Sequence, residues 1–194
     1  MFLQYIQALV LLIVIMDPLV SMTAFFSMTR HMTEKERGSI ARKAVIVAAM
    51  PLFVFILGGN LMLEILHVDV ETFKAAGGLV LVILGIQLSL GMSFKKKSAE
   101  DPHDQGAIAA IIGTPLITGP ATISAAIILS DEMGRAITGL AGVTALIIAW
   151  VALAVGTRYY KYLGVTGARV LSTMLGLITI AWGMAFIKEG LLTP

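Results

Sequence analysis

Two short stretches of this chain carry residues arranged for chemistry, Ile15-Met16-Asp17-Pro18-Leu19 and Thr114-Pro115-Leu116-Ile117-Thr118-Gly119-Pro120. Asp is a preferred helix N-cap, and Pro is favoured at the first helical position, where its missing N–H costs nothing. Asp17-Pro18 therefore reads as a helix starting afresh, with one half over residues 2–15 and another over residues 18–28. In the second stretch Pro115 ends a half-helix, residues 117–119 are extended, and Pro120 begins the next half. Each new N-terminus carries partial positive charge and bare N–H groups. Those after Val20 and after Ala121 are suited to a carboxylate. Ser21, Thr23, Thr118, Thr122 and Ser124 add hydroxyls close by. The ligand that suits such a pocket is a small anionic or zwitterionic molecule.

The elements that hold these residues belong in lipid. Of 194 residues, 58% are hydrophobic and only 13% charged, about half the charge of a soluble domain. Mean hydropathy is +0.92. There is no cysteine, which excludes disulfides and thiolate metal sites. The first basic residue is Arg30, so the N-terminus lacks the basic head of a signal peptide, and the first apolar stretch is expected to be retained. Six stretches are long and apolar enough to cross a bilayer, at residues 2–28, 44–63, 75–94, 105–130, 136–157 and 170–187. Nothing separates soluble domains, and residues 1–194 read as one transmembrane domain.

Charge orients the spans. With the N-terminus outside, the inner loops hold Arg30, Lys35, Arg37, Arg42, Lys43, Lys95, Lys96, Lys97, Arg158, Lys161 and Arg169. Only Lys74, Arg135 and Lys188 fall outside. This positive-inside bias places both termini outside a cell membrane, with Tyr159, Tyr160 and Tyr162 at the inner interface.

As continuous helices the first and fourth stretches would overshoot the hydrocarbon by about 10 Å. Breaking each one removes the excess. Pro18 and Pro120 stand 102 positions apart, close to half the chain, and each break is followed by two more spans. The fold class expected is thus all-α: six transmembrane helices in two inverted three-helix repeats, about 1–97 and 98–194, with the first and fourth helices discontinuous. Broken helices survive in lipid only where protein or a cavity covers them, and paired breaks point to a transporter site. Asp17 is the one acidic residue deep in a span. That position costs about 2.5–3.5 kcal/mol on insertion scales, so a function is the default hypothesis, either meeting a substrate ammonium or carrying a coupling proton. The competing role is capping alone. Asn60 and Gln87 are candidates to line the cavity or to bond between helices. Gly77, Gly78, Gly85, Gly139, Gly142 and Gly176 read as close helix packing.

The first stretch, with Phe25 following, resembles the first-span motif of the MarC family of bacterial and archaeal membrane proteins. The stretch from Pro115 to Pro120 is similar to that family's fourth-span signature, and Ala76-Gly77-Gly78 and the run from Gly164 to Gly176 are similar in order. The resemblance covers essentially the whole chain. It implies a relation to transporters of small neutral amino acids, glycine and alanine, thought to be coupled to a cation gradient. Asp17, Pro18, Gly119 and Pro120 are the positions that match. Members commonly carry Gly-Asn and a second Pro after the first motif, where this chain has Val20-Ser21 and Thr23.

Secondary transport is the function expected, with the substrate at the midplane between helices 1 and 4 and H⁺ or Na⁺ as coupling ion. The alternative is an exporter or channel for another small solute. Enzyme chemistry is not expected. His31, His67 and His103 lie far apart near loops, and a single midplane carboxylate supplies neither an acid–base pair nor a metal cluster. No cofactor and no nucleic-acid partner is expected. The partners are a small zwitterionic amino acid and membrane lipid.

Overall fold

Proline decides where several of the helices stop. The computed structural model describes the main chain of residues 1–29, 32–90 and 105–192, and within these all side chains except 19, 20, 23, 27, 115, 156–169, 171 and 172. All regular structure among the described residues is helical: α1 (Phe2–Met16), α2 (Pro18–Thr29), α3 (Glu34–Ile65), α4 (Val70–Ser89), α5 (Gln105–Ile111), a π turn (Ile112–Ile117), α6 (Pro120–Met133) and α7 (Arg135–Leu192). The expected loop charges at Arg30 and Lys95–Lys97, and the side chains of Arg158, Lys161, Arg169 and the three interfacial tyrosines, lie outside the described residues.

Four helical segments are long and apolar enough to cross a membrane: Glu34–Ile65, Val70–Ser89, Arg135–Val155 and Thr173–Leu192. The first and fourth apolar stretches of the sequence are divided into shorter pieces. The two middle helices start earlier than hydropathy alone suggests, because capping residues set their ends. Thr33 forms a capping box, its hydroxyl accepting from Glu36 N and its N–H donating to Glu36 Oε2. The Asp69 carboxylate accepts from Thr72 N and the Thr72 hydroxyl at the start of α4. These bonds, the hydroxyl foremost, hold the Asp69 carboxyl below its ordinary range.

The helical run α7 folds back as two arms, Arg135–Val155 and Thr173–Leu192. Lys74 Nζ lies 2.6 Å from Glu132 and 3.9 Å from Glu189. A straight helix would separate the two ends of α7 by roughly 80 Å. The arms are therefore antiparallel, as two separate spans require.

The second arm packs main chain to main chain on α4. A Cβ at Gly78 would meet Gly183 O at 2.5 Å, and one at Gly85 would meet Gly176 O at 2.6 Å. One at Gly190 would run into Glu71 O. Glycines seven apart keep the two backbones in register over two heptads, the small-residue packing that substitutes for a hydrophobic drive in lipid. Gly77 faces Ser124, and Gly142 faces Leu52. Gly139 corrects the sequence reading, since nothing lies within 4 Å of a Cβ there.

The bundle has two chemically distinct ends. Lys35, Arg37, Arg42 and Lys43 cluster where α2 meets α3, with Arg37 Nε donating to Thr29 O and its guanidinium stacked over Phe26. Lys74, Arg135 and Lys188 collect at the opposite end among Glu64, Asp69, Glu71, Asp131, Glu132 and Glu189. For the basic residues whose side chains are described, this is the grouping that the sequence predicts.

Candidate functional site

The first break is one residue long. Pro18 cannot donate to the carbonyl four residues back, and its ring disfavours a helical residue before it. Asp17 takes up the strain in the left-handed region, at φ 35° and ψ 77°, a conformation that Asp tolerates better than most side chains. It is buried, with 4% of its surface accessible. Ser21, also buried, closes the gap twice: its N–H donates to Asp17 O at 3.1 Å, and its hydroxyl donates to Met16 O at 3.3 Å.

The second break takes longer to complete. Thr114, immediately before Pro115, is extended at φ −143° and ψ 118°. The helix is therefore interrupted one residue before the expected stop, and a turn follows up to Ile117. Thr118 then leaves the turn at φ −116° and ψ 78°, only Gly119 of the expected run 117–119 is extended, and Pro120 starts α6. The Thr118 N–H returns to Gly113 O at 3.0 Å. Its hydroxyl crosses to α3 and donates to Ala48 O at 2.9 Å. The Thr122 hydroxyl donates to Ile117 O at 3.1 Å.

Ser21 and Thr122 perform the same task, each reaching back five residues to a carbonyl at the end of the preceding half-helix. At the first break main-chain closure starts earlier than in the sequence reading, since Ser21 N–H, expected to be bare, already serves Asp17 O. By helix geometry the N–H groups of α6 without an acceptor in their own helix are those of Ala121 and Thr122.

The two breaks adjoin. Ile15, two residues before Asp17, lines a crevice of about 170 Å³ together with Leu116, Gly119, Pro120, Ala121 and Thr122 of the second break and with Val80, Leu84 and Gln87 of α4. α1 packs on α6 and α2 on the π turn, so each break crosses the other. Of the residues singled out in the sequence, Gly119, Pro120, Thr122 and Gln87 line this crevice. Asp17, Pro18 and Ser21 lie buried in the adjoining break. Thr118 is spent on Ala48, and Ser124 packs under Gly77. The Thr23 side chain lies outside the described residues. Asn60 is not brought to the site. Its amide donates to Asp131 Oδ1 at 3.0 Å, about 16 Å along α6 from Pro120.

Gly113 and Ala44 are the positions that sequence reasoning missed. A Cβ on Gly113 would meet Ala44 O at 2.5 Å and Val47 Cβ at 2.9 Å, so the π turn lies directly on the main chain of α3. The available signal was the alternation of small residues Ala44 and Ala48 on a helix otherwise rich in large ones.

Comparison with known proteins agrees with a protein built into a membrane. The model of the MarC family integral membrane proteins matches residues 2–193. The chain is 28% identical over 192 residues to the UPF0056 inner membrane protein YhgN of Escherichia coli K12, covering 97% of this chain and 96% of the relative. It is 30% identical over 185 residues to the UPF0056 membrane protein MJ1677 of Methanocaldococcus jannaschii, covering 91% and 90%. A UPF0056 membrane protein of Archaeoglobus fulgidus is 28% identical over 188 residues, covering 93% and 88%. No solved structure matches.

Proposed function

The chain belongs to the MarC family of integral membrane proteins, and from that premise we propose that it is a secondary transporter of small neutral amino acids, glycine and alanine, driven by a cation gradient. The observation that carries this reading is the crevice where the two helix breaks meet, shared by Ile15, Gly119, Pro120, Thr122 and Gln87. A cavity of about 150 Å³ admits benzene, with six non-hydrogen atoms. Alanine also has six and glycine five, so a crevice of about 170 Å³ is of the right size.

The chemistry fits a zwitterion. The N–H groups of Ala121 and Thr122, at the positive end of α6, favour a carboxylate. The Gln87 amide supplies a further donor and acceptor. The ammonium is assigned to the carbonyl-rich side of the first break, where Asp17 provides the buried negative charge or the site for a coupling proton. The protein acts as a carrier and not as an enzyme, in the cell membrane, with the end bearing Arg37, Arg42 and Lys43 in the cytoplasm and both termini outside.

Six passes in two inverted triplets underlie this mechanism. Three sets of paired features support the repeat. Pro18 and Pro120 begin the second half of each broken helix, and the Ser21 and Thr122 hydroxyls make the same five-residue return. Gly78 and Gly85 of α4 correspond, 98 positions later, to Gly176 and Gly183 of the second arm of α7, and the two pairs contact each other crosswise. Such symmetry about a central axis lets one triplet rock against the other around a fixed site.

Counterflow in proteoliposomes tests the proposal. Vesicles loaded with unlabelled alanine should concentrate external labelled alanine or glycine transiently and saturably. Flux that never saturates would instead favour the channel alternative, and no alanine- or glycine-dependent flux under either a proton or a sodium gradient would reject the substrate assignment.

A further inference from the structure

A second hollow lies on the opposite side of α3 from the break, between α3 and the first arm of α7. It measures about 310 Å³, and its wall is formed by Arg42, Ile46, Phe53, Val143, Ile147 and Trp150 among others. Apart from the Arg42 head group and the Trp150 indole N–H, the lining side chains are apolar. Ile46, Val143, Ile147 and Trp150 are each more than 40% accessible, so the hollow is a groove on the face turned to lipid. From Arg42 to Phe53 it runs about 16 Å along α3, the depth of one bilayer leaflet, about 15 Å.

The two ends of the groove differ. Phe53 closes it about 8 Å along α3 beyond Ala48, the residue bonded to the second break, whereas Arg42, followed by Lys43, opens it at the basic end of the bundle. Among the described residues neither cation has an ion-pair partner. Both side chains are exposed, and a long basic side chain extends along apolar surface to place its charge at the headgroups. Trp150 stands beside Ile46, one turn below Arg42, as an amphipathic ring does at a membrane interface.

We propose that this groove seats an anionic phospholipid from the leaflet at the basic end. One acyl chain lies between α3 and the first arm of α7, the phosphate rests against Arg42 and Lys43, and the Trp150 indole sits at the level of the glycerol esters. The groove matches a single acyl chain in length and apolarity. Its charge selects an anionic over a zwitterionic headgroup, because two unneutralised cations at one leaflet surface attract a negative lipid. No part of this assignment depends on what the protein transports.

The chain has two tryptophans, so Trp182→Phe leaves Trp150 as the sole tryptophan, read with excitation that bypasses the tyrosines. This variant is reconstituted in phosphatidylcholine vesicles containing a minor fraction of phosphatidylglycerol, with brominated acyl chains on one lipid or the other. At equal mole fraction, brominated phosphatidylglycerol is expected to quench Trp150 about twofold or more above brominated phosphatidylcholine, and Arg42→Gln with Lys43→Gln should bring the two to parity. Parity in the parent, or a preference that survives the double substitution, overturns the proposal. Weak quenching by both lipids also overturns it, since that places a second copy of the chain over the groove. If Trp182→Phe fails to fold, native mass spectrometry of the unsubstituted protein takes its place: an anionic phospholipid should persist after detergent removal and be lost in the double variant, and equal retention of both lipid classes contradicts the assignment.

Discussion

Replacing Gly113 by alanine probes how closely the second break must lie against α3. The new Cβ would meet Ala44 O at 2.5 Å and Val47 Cβ at 2.9 Å, where ordinary contact begins near 3.4 Å. The turn must retreat by about 0.9 Å, or α3 must yield, in an interior packed too densely to do so freely. A rigid retreat of that size stretches the Thr118 hydroxyl bond to Ala48 O from 2.9 Å to about 3.8 Å, beyond hydrogen-bonding range. Overpacking costs about 1–3 kcal/mol and the lost bond about 1 kcal/mol, for a destabilisation of about 2–4 kcal/mol. Titration with sodium dodecyl sulfate from a mild detergent, followed by circular dichroism, reads this as an earlier loss of helix. Gly58→Ala is the control, because nothing lies within 4 Å of a Cβ there. Its expected effect is under about 1 kcal/mol, on the stabilising side. Gly113→Ala and Gly58→Ala unfolding at the same detergent fraction would refute the reasoning.

Asp17→Asn should fold and insert normally, since Asn tolerates a left-handed backbone as well as Asp does, yet lose or uncouple transport. Normal pH-dependent glycine uptake by this variant would remove Asp17 from the mechanism. Gly183→Ala should cost about 1–3 kcal/mol by pushing α7 off Gly78 O, measured by the same unfolding titration, and Gly139→Ala should not. The depressed Asp69 pKa gives the α4 cap a sign with pH. Its contribution is present in full above the ordinary value of 3.8 and is lost as pH falls through the lower folded value. Hydrogen exchange in the first turn of α4, corrected for intrinsic rates, should therefore accelerate below that range and not between pH values well above it.

Much of this fold was legible in the residues. Asp17-Pro18 and Gly119-Pro120 located both breaks to within a residue or two, because the residue before each proline is one that leaves the helix at low cost. Pro51 shows that proline alone is not the signal. It sits inside α3 without ending it, flanked by Met50 and Leu52, which carry no capping group. Glycine spacing pointed to close packing, but only the structure pairs Gly78 with Gly183 and Gly85 with Gly176, since the choice of partner depends on where the chain reverses within α7. Asn60 was misplaced because hydropathy locates a polar residue in a span without giving its depth. It lies in the last two turns of α3, where Asp131 is available. The Thr118 bond to α3 was not legible either, as a carbonyl acceptor leaves no trace in side-chain identity.

The most direct test of the shared crevice uses the absence of cysteine from the chain. Leu84 lines the crevice with an apolar side chain, so Leu84→Cys places one thiol beside the site and leaves Asp17, Gln87 and Thr122 intact. A small methanethiosulfonate should label this thiol in proteoliposomes, and saturating alanine should slow the labelling about threefold or more by occupying the crevice. Labelling at the same rate with and without alanine, in vesicles that still take alanine up, would place the substrate elsewhere.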